Sequence, residues 1–158
     1  MGPETADSHV GAQHQVERFL ADTDPSSVSL CLDTGHIAYC GGDSLALVEW
    51  FPDRIGYVHL KQADPARFGP GERQVNAEQL CFAEAVRRGV MCEPPKGQPA
   101  MEPLLAALRK LDAPPFASVE QDMDPCDPDT PLPVAARTRS YFGRLGLGRA
   151  APSEGAHQ

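Results

Sequence analysis

Three short apolar runs in this chain each stop on a side chain that binds metals. Val28-Ser29-Leu30-Cys31-Leu32 precedes Asp33, Ile55-Gly56-Tyr57-Val58 precedes His59, and Phe116-Ala117-Ser118-Val119 precedes Glu120. Runs this short and this rich in Val, Ile and Leu read as buried parallel strands. Where parallel strands alternate with helices, the chemistry gathers at the strand ends. One carboxylate, one imidazole and a second carboxylate, delivered by consecutive strands, would converge on a divalent cation. Taken singly, each residue has a plainer explanation: Asp33 capping a turn, His59 as a satisfied core histidine, Glu120 paired with a lysine. All three at strand ends favour the metal site.

The chain has 158 residues, enough for one domain with a real core. A complete eight-fold barrel needs about 250 residues, so the strand reading allows only about half of one. The formal net charge of −8 disfavours attraction to phosphate backbones and anionic lipid, and no nucleic-acid or membrane partner is expected. The five cysteines, Cys31, Cys40, Cys81, Cys92 and Cys126, show no Cys-x-x-Cys pairing. They indicate neither a disulfide frame nor a thiolate zinc site, and reduced thiols place the chain in the cytoplasm. Cys31 and Cys40 read as core and loop thiols. The start Met1-Gly2-Pro3-Glu4-Thr5-Ala6 has neither an apolar core nor the Ser or Thr that myristoylation wants, and no run approaches a membrane span.

Val16, Phe19 and Leu20 recur at helical spacing within 12–22, a helix ended near Asp24-Pro25. A second helix is expected over 44–51, with Asp43 or Ser44 as its cap and Pro52 as its stop. Asp33 and His59 are 26 positions apart, close to the roughly 30 residues of one barrel unit. His59 and Glu120 are 61 positions apart, too far for one plain unit. That interval holds a polar stretch (62–73), a helix (77–88), a loop (93–99) and a further helix (101–111), read as one unit with an insertion at the barrel mouth. A Pro-rich crossing and a helix over 133–145 follow. Residues 7–145 are expected to form one partial barrel domain, with 1–6 and 146–158 as disordered tails.

With Leu32-Asp33-Thr34-Gly35-His36, Val58-His59-Leu60-Lys61 and Val119-Glu120-Gln121-Asp122 in this order, the chain resembles the xylose-isomerase-like barrels of the sugar isomerase and epimerase superfamily. The likeness is greatest to the inosose dehydratase branch. Ser8-His9-Val10-Gly11, Gln15-Val16-Glu17-Arg18-Phe19-Leu20 and Phe82-Ala83-Glu84-Ala85-Val86 also look like that branch. The resemblance implies an α/β fold that is the C-terminal half of a (β/α)8 TIM barrel, from the end of strand five to helix eight. Strands one to four have no counterpart. Of the ligand cluster that the family places on strand five, only His9 has one. Gln62 stands where the dehydratase-like pattern has Asp.

The resemblance further implies metal ligands Asp33, His59 and Glu120, suited to Mn²⁺ or Co²⁺, or else Zn²⁺ or Mg²⁺. In the family such an ion grips a hydroxyl and a carbonyl on neighbouring carbons of a keto-sugar or keto-cyclitol. Glu120 is expected to act both as ligand and as base or proton donor. His36, across a Gly turn from Asp33, is either a proton donor facing substrate or a loop histidine. Lys61 shares a face with His59 and either steadies an oxyanion or closes a salt bridge at the rim. His9 and Glu93 are candidate substrate contacts, as is Lys96. The expected activity is isomerase, epimerase or dehydratase. The competing readings are an inert half-barrel remnant, a partner that completes a barrel with another chain or with its own copy, and, further off, an abasic-site endonuclease. A lone half barrel should be marginal, sticky or dimeric, with weak or absent turnover.

Overall fold

The computed structural model describes residues 13–68, 82–112 and 115–148. The chain divides into two compact units, one up to Pro125 and the other from Cys126 onward.

The first unit opens with helix α1 (Gln13–Ala21), whose Val16 and Leu20 are buried. Strand β1 (Leu30–Asp33) leads directly into α2 (Thr34–Tyr39), and α3 (Ser44–Trp50) follows. A 3-10 turn, Pro52–Arg54, then feeds β2 (Ile55–Leu60). Beyond it lie β3 (Gln62–Ala63), α4 (Pro65–Phe68), α5 (Phe82–Arg87), β4 (Met91–Cys92), α6 (Met101–Leu108) and β5 (Phe116–Val119). The α3 start is set by Asp43, whose carboxylate accepts from the Leu45 and Ala46 amides at 2.9 and 3.1 Å.

Two sheets result. The larger is parallel with order β1-β2-β5, and the smaller pairs β3 with β4 antiparallel. The expected α/β class with a parallel sheet is therefore seen. The buried face of the large sheet carries Leu32, Val58 and Leu60, and the same core takes in Val16, Leu20, Leu47, Leu104 and Leu105 from the helices. Arg54 ties α1 to the start of β1. Its guanidinium donates to the Leu20 carbonyl at 2.6 Å, Thr23 Oγ1 at 2.8 Å and the Val28 carbonyl at 3.2 Å. Around the small sheet, Ala63, Ala85, Val90 and Met91 form a second apolar cluster with Tyr39, Phe82 and Val86 packed on it.

The three strands are not buried on both faces as their composition suggests. In β2 buried and open positions alternate toward the strand end, and in β5 Phe116 is 84% and Val119 46% exposed. The reason is topological: among the described residues β5 is an outer strand that pairs with β2 alone, and its residues are open on both faces. Two elements inside expected loops also appear. The stretch after His59 contains β3 and α4, and Met91–Cys92 pairs with β3 in the register Gln62↔Cys92. Of the helix expected over 77–88, the described part is α5, while 1–12 and 149–158 lie outside the described residues.

In the second unit, α7 (Pro131–Arg144) starts two residues before the expected 133. Proline suits a first turn because its missing N–H has no partner there. Its buried positions Thr138, Tyr141 and Phe142 fall on one stripe, with the two rings edge to face at 5.2 Å. Among the described residues no helix is long and apolar enough to cross a membrane.

Candidate functional site

Register brings the site together. Asp33 is paired with His59 and His59 with Ser118, so the ends of all three strands lie level. The ladder runs one residue past β5, where the Glu120 amide donates to the Leu60 carbonyl at 3.2 Å. With side chains alternating along each strand, Asp33, His59 and Glu120 emerge on the open face. One ligand atom from each lies within 4.8 Å of the others. His59 Nδ1 is 3.2 Å from Glu120 Oε1 and 3.5 Å from Asp33 Oδ2. Donors about 2.1 Å from a shared ion, at angles between square and tetrahedral, would lie roughly 3.0–3.4 Å apart. The two distances from the imidazole nitrogen to the carboxylate oxygens are close to that spacing, and two carboxylate oxygens with one imidazole nitrogen are a donor set that could hold a hard or borderline divalent cation.

Asp33 does two jobs with two oxygens. Its Oδ1 caps α2, accepting from the Gly35 and His36 amides at 3.0 and 2.9 Å, while Oδ2 faces the cluster. This corrects the expected Gly turn. A side-chain acceptor at Asp33 starts a helix there, so His36 sits in the first turn of α2 and not in a loop. Thr34, fully buried, grips the next strand: its hydroxyl donates to the Lys61 carbonyl at 2.6 Å and accepts from the Lys61 amide at 2.9 Å. His36 Nδ1 is 3.8 Å from Asp33 Oδ2, and its ring meets Phe82 edge to face at 4.6 Å.

Lys61 stands at the centre, only 2% exposed. Its Nζ lies 3.0 Å from Asp33 Oδ2, 3.0 Å from Glu120 Oε2 and 2.9 Å from Asp122 Oδ2. An ammonium has three hydrogens, so all its donor capacity is directed at these carboxylates. Burial works to lower its pKa, but Asp122, Asp33 and Glu120 outweigh burial and raise it above the usual lysine value. Of the two readings of Lys61, this geometry is the salt bridge, in the interior of the cluster and not at a rim.

Asp122 is the member that sequence reasoning passed over. The facing His36 imidazole, Nε2 3.9 Å away, and the Lys61 ammonium hold its carboxyl down to about 2, against burial. The signal was present, since Asp122 follows Glu120 at the same two-residue step that relates Lys61 to His59.

Other candidates sit elsewhere. His9 lies outside the described residues. Glu93 follows β4 in the small sheet, where its carboxylate accepts from Lys96 Nζ at 3.2 Å. Gln62 clamps the same loop, donating to the Pro99 carbonyl at 2.7 Å and accepting from the Gly97 amide at 3.1 Å. Cys31 and Cys40 are both exposed, so Cys31 is not a core thiol. Both thiols have raised pKa values, through burial first and, for Cys31, the nearby Asp33 and Glu120 charges.

The arrangement is that of an α/β protein whose parallel strands end in an acid, imidazole and ammonium cluster. No protein-family model matches the chain. It is similar to inosose dehydratases. It shares 36% identity over 136 residues with that of Geobacillus kaustophilus (strain HTA426), covering 86% of this chain and 42% of the relative. It shares 32% over 128 residues with that of Geobacillus thermodenitrificans (strain NG80-2), covering 81% and 41%. A Clostridium perfringens (strain 13 / Type A) inosose dehydratase is 28% identical over 133 residues, covering 84% and 43%. The chain therefore spans about two-fifths of the length of these relatives.

Proposed function

We propose that the chain carries the metal-binding part of an inosose-dehydratase-like site. It would act on a keto-cyclitol or keto-sugar by removing a proton next to a carbonyl, as part of a (β/α)8 barrel of the xylose-isomerase-like kind. The observation that supports this most is the meeting of Asp33, His59 and Glu120 donors within 4.8 Å at level strand ends. These residues would hold Mn²⁺ or Co²⁺, with Zn²⁺ and Mg²⁺ as alternatives. When bound, such an ion supplies Lewis acidity that makes the carbon next to a substrate carbonyl more acidic.

The chain's own groups divide the remaining work. Glu120 is the carboxylate to receive the substrate proton, because it is more open to solvent than Asp33, whose Oδ1 is committed to the helix cap. Lys61 holds Asp33 and Glu120 aimed at one point. His36, with Asp122 3.9 Å from its Nε2, would deliver a proton to a departing hydroxyl. With that delivery the outcome is loss of water; without it, isomerisation or epimerisation.

Titration of the purified full chain with Mn²⁺ tests the reading. One ion per chain is expected, with Asp33→Asn, His59→Ala or Glu120→Gln each weakening uptake at least tenfold. Absence of stoichiometric uptake by the wild-type chain would remove the metal reading. Incubation with inosose follows. Loss of one water in the product marks a dehydratase, and an unchanged mass with altered configuration marks an isomerase or epimerase. Turnover by the chain alone is expected to be weak or absent.

A second reading, a half barrel that is inert alone or completed by a partner, is favoured by the openness of β5, with Phe116 84% exposed on a strand that pairs on one side among the described residues. Gel filtration together with the metal titration separates the two, since an inert remnant takes up no ion.

A further inference from the structure

The sheet register places Cys31 opposite Tyr57 and Asp33 opposite His59, so Cys31 and His59 are diagonal neighbours on the open face of β1 and β2. The Cys31 sulfur lies 3.9 Å from His59 Nε2. The other nitrogen of the same ring, Nδ1, is the one that faces Glu120 and Asp33 at 3.2 and 3.5 Å. Tyr57 stands edge-on to the imidazole, ring centroids 5.5 Å apart and planes at 89°. The ring is thus addressed on both edges by different chemistry, oxygen anions at one nitrogen and a sulfur at the other.

We propose that Cys31 is a positioning residue for His59: its sulfur accepts the Nε2 hydrogen, which leaves Nδ1 as the nitrogen that binds an ion. The proposal rests on the metal reading above. A neutral imidazole carries one proton, and a metal-binding histidine is oriented by the partner that holds its other N–H. When an ion takes Nδ1, the remaining proton must be on Nε2, and the group facing it there is the Cys31 sulfur. Sulfur is a weak acceptor, so the contact orients the ring and is not itself a ligand bond. Cys31 sits across the ring from the carboxylates and is therefore not placed to join them around one ion.

Co²⁺ titration of the full chain, followed by visible absorption, tests this. The wild-type chain should bind one Co²⁺. Cys31→Ala and Cys31→Val should each weaken binding about tenfold, the low end of the effect of removing a hydrogen-bond partner from a metal ligand. Cys31→Ser, which keeps an acceptor, should return the affinity close to wild type. Equal affinity of Cys31→Val and wild type would overturn the proposal, because it would show the thiol to be packing alone. A sulfur-to-cobalt charge-transfer band that disappears in Cys31→Ser would also overturn it, by making Cys31 a ligand. Failure of the wild-type chain to take up Co²⁺ would overturn the metal reading and this proposal together, whereas wild-type uptake with unchanged variants overturns this proposal alone.

Discussion

Gly35 lies so close to the Lys61 side chain that a Cβ at position 35 would sit 2.7 Å from Lys61 Cγ and 2.9 Å from Cδ. The clash is with the inner part of the lysine side chain, whose backbone the Thr34 hydroxyl holds at both its carbonyl and its amide. The absence of a side chain at Gly35 is therefore what allows the ammonium to reach Asp33, Glu120 and Asp122.

Gly35→Ala should displace Lys61 and cost about 1–3 kcal/mol, the usual range for an overpacked interior. Urea unfolding midpoints check this. Gly143→Ala is the control: nothing lies within 4 Å of its Cβ, and in the exposed last turn of α7 it should change stability by no more than about 0.5 kcal/mol.

Lys61→Met leaves three carboxylates facing one another without their cation. Breaking a buried ion pair from one side costs about 3–5 kcal/mol. Glu120 and Asp122 are about a third exposed, so solvent screening reduces the expected loss to about 2 kcal/mol. Added Mn²⁺ should raise the melting temperature of Lys61→Met more than that of wild type, because an ion would supply the missing positive charge. Thermal melts with and without Mn²⁺ measure the difference.

Asp122 titrates at about 2 in the fold against 3.8 ordinarily. A carboxyl with a depressed folded pKa stabilises the fold fully above its unfolded value and loses that contribution as pH falls toward the folded one. The stability gap between wild type and Asp122→Asn should thus stay level from neutral pH to about 4 and narrow below it. Urea midpoints of both proteins across that range report it. A gap that widens on acidification would contradict the assignment.

Phe116 is 84% exposed on a strand that, among the described residues, has one paired edge. Such edges promote association. Phe116→Lys should shift the chain toward monomer in sedimentation velocity while changing stability by no more than about 0.5 kcal/mol, as expected of a surface position.

The strand ends could be read without coordinates because their signal is local: a β-rich apolar run that stops on a ligand type is visible wherever it occurs. The same holds for α3, where Asp43 and Pro52 mark both limits. Local pattern also supplied the two-residue step from His59 to Lys61, and with it their common face.

What local pattern could not supply was register and partnership. The start of α2 depended on Asp33 turning one oxygen back onto its own backbone, a choice that competes with an open Gly turn and is settled by packing against Lys61. β3 and β4, two residues each, are too short to carry a period and exist because they pair with one another. The role of Lys61 was likewise undecidable along the chain. An ammonium beside one carboxylate can still serve an oxyanion, whereas one surrounded by Asp33, Glu120 and Asp122 has no hydrogen left to offer. That difference comes from Asp33 on one side and the Glu120–Asp122 pair on the other, both far from Lys61 in sequence and beside it only once β1, β2 and β5 lie side by side.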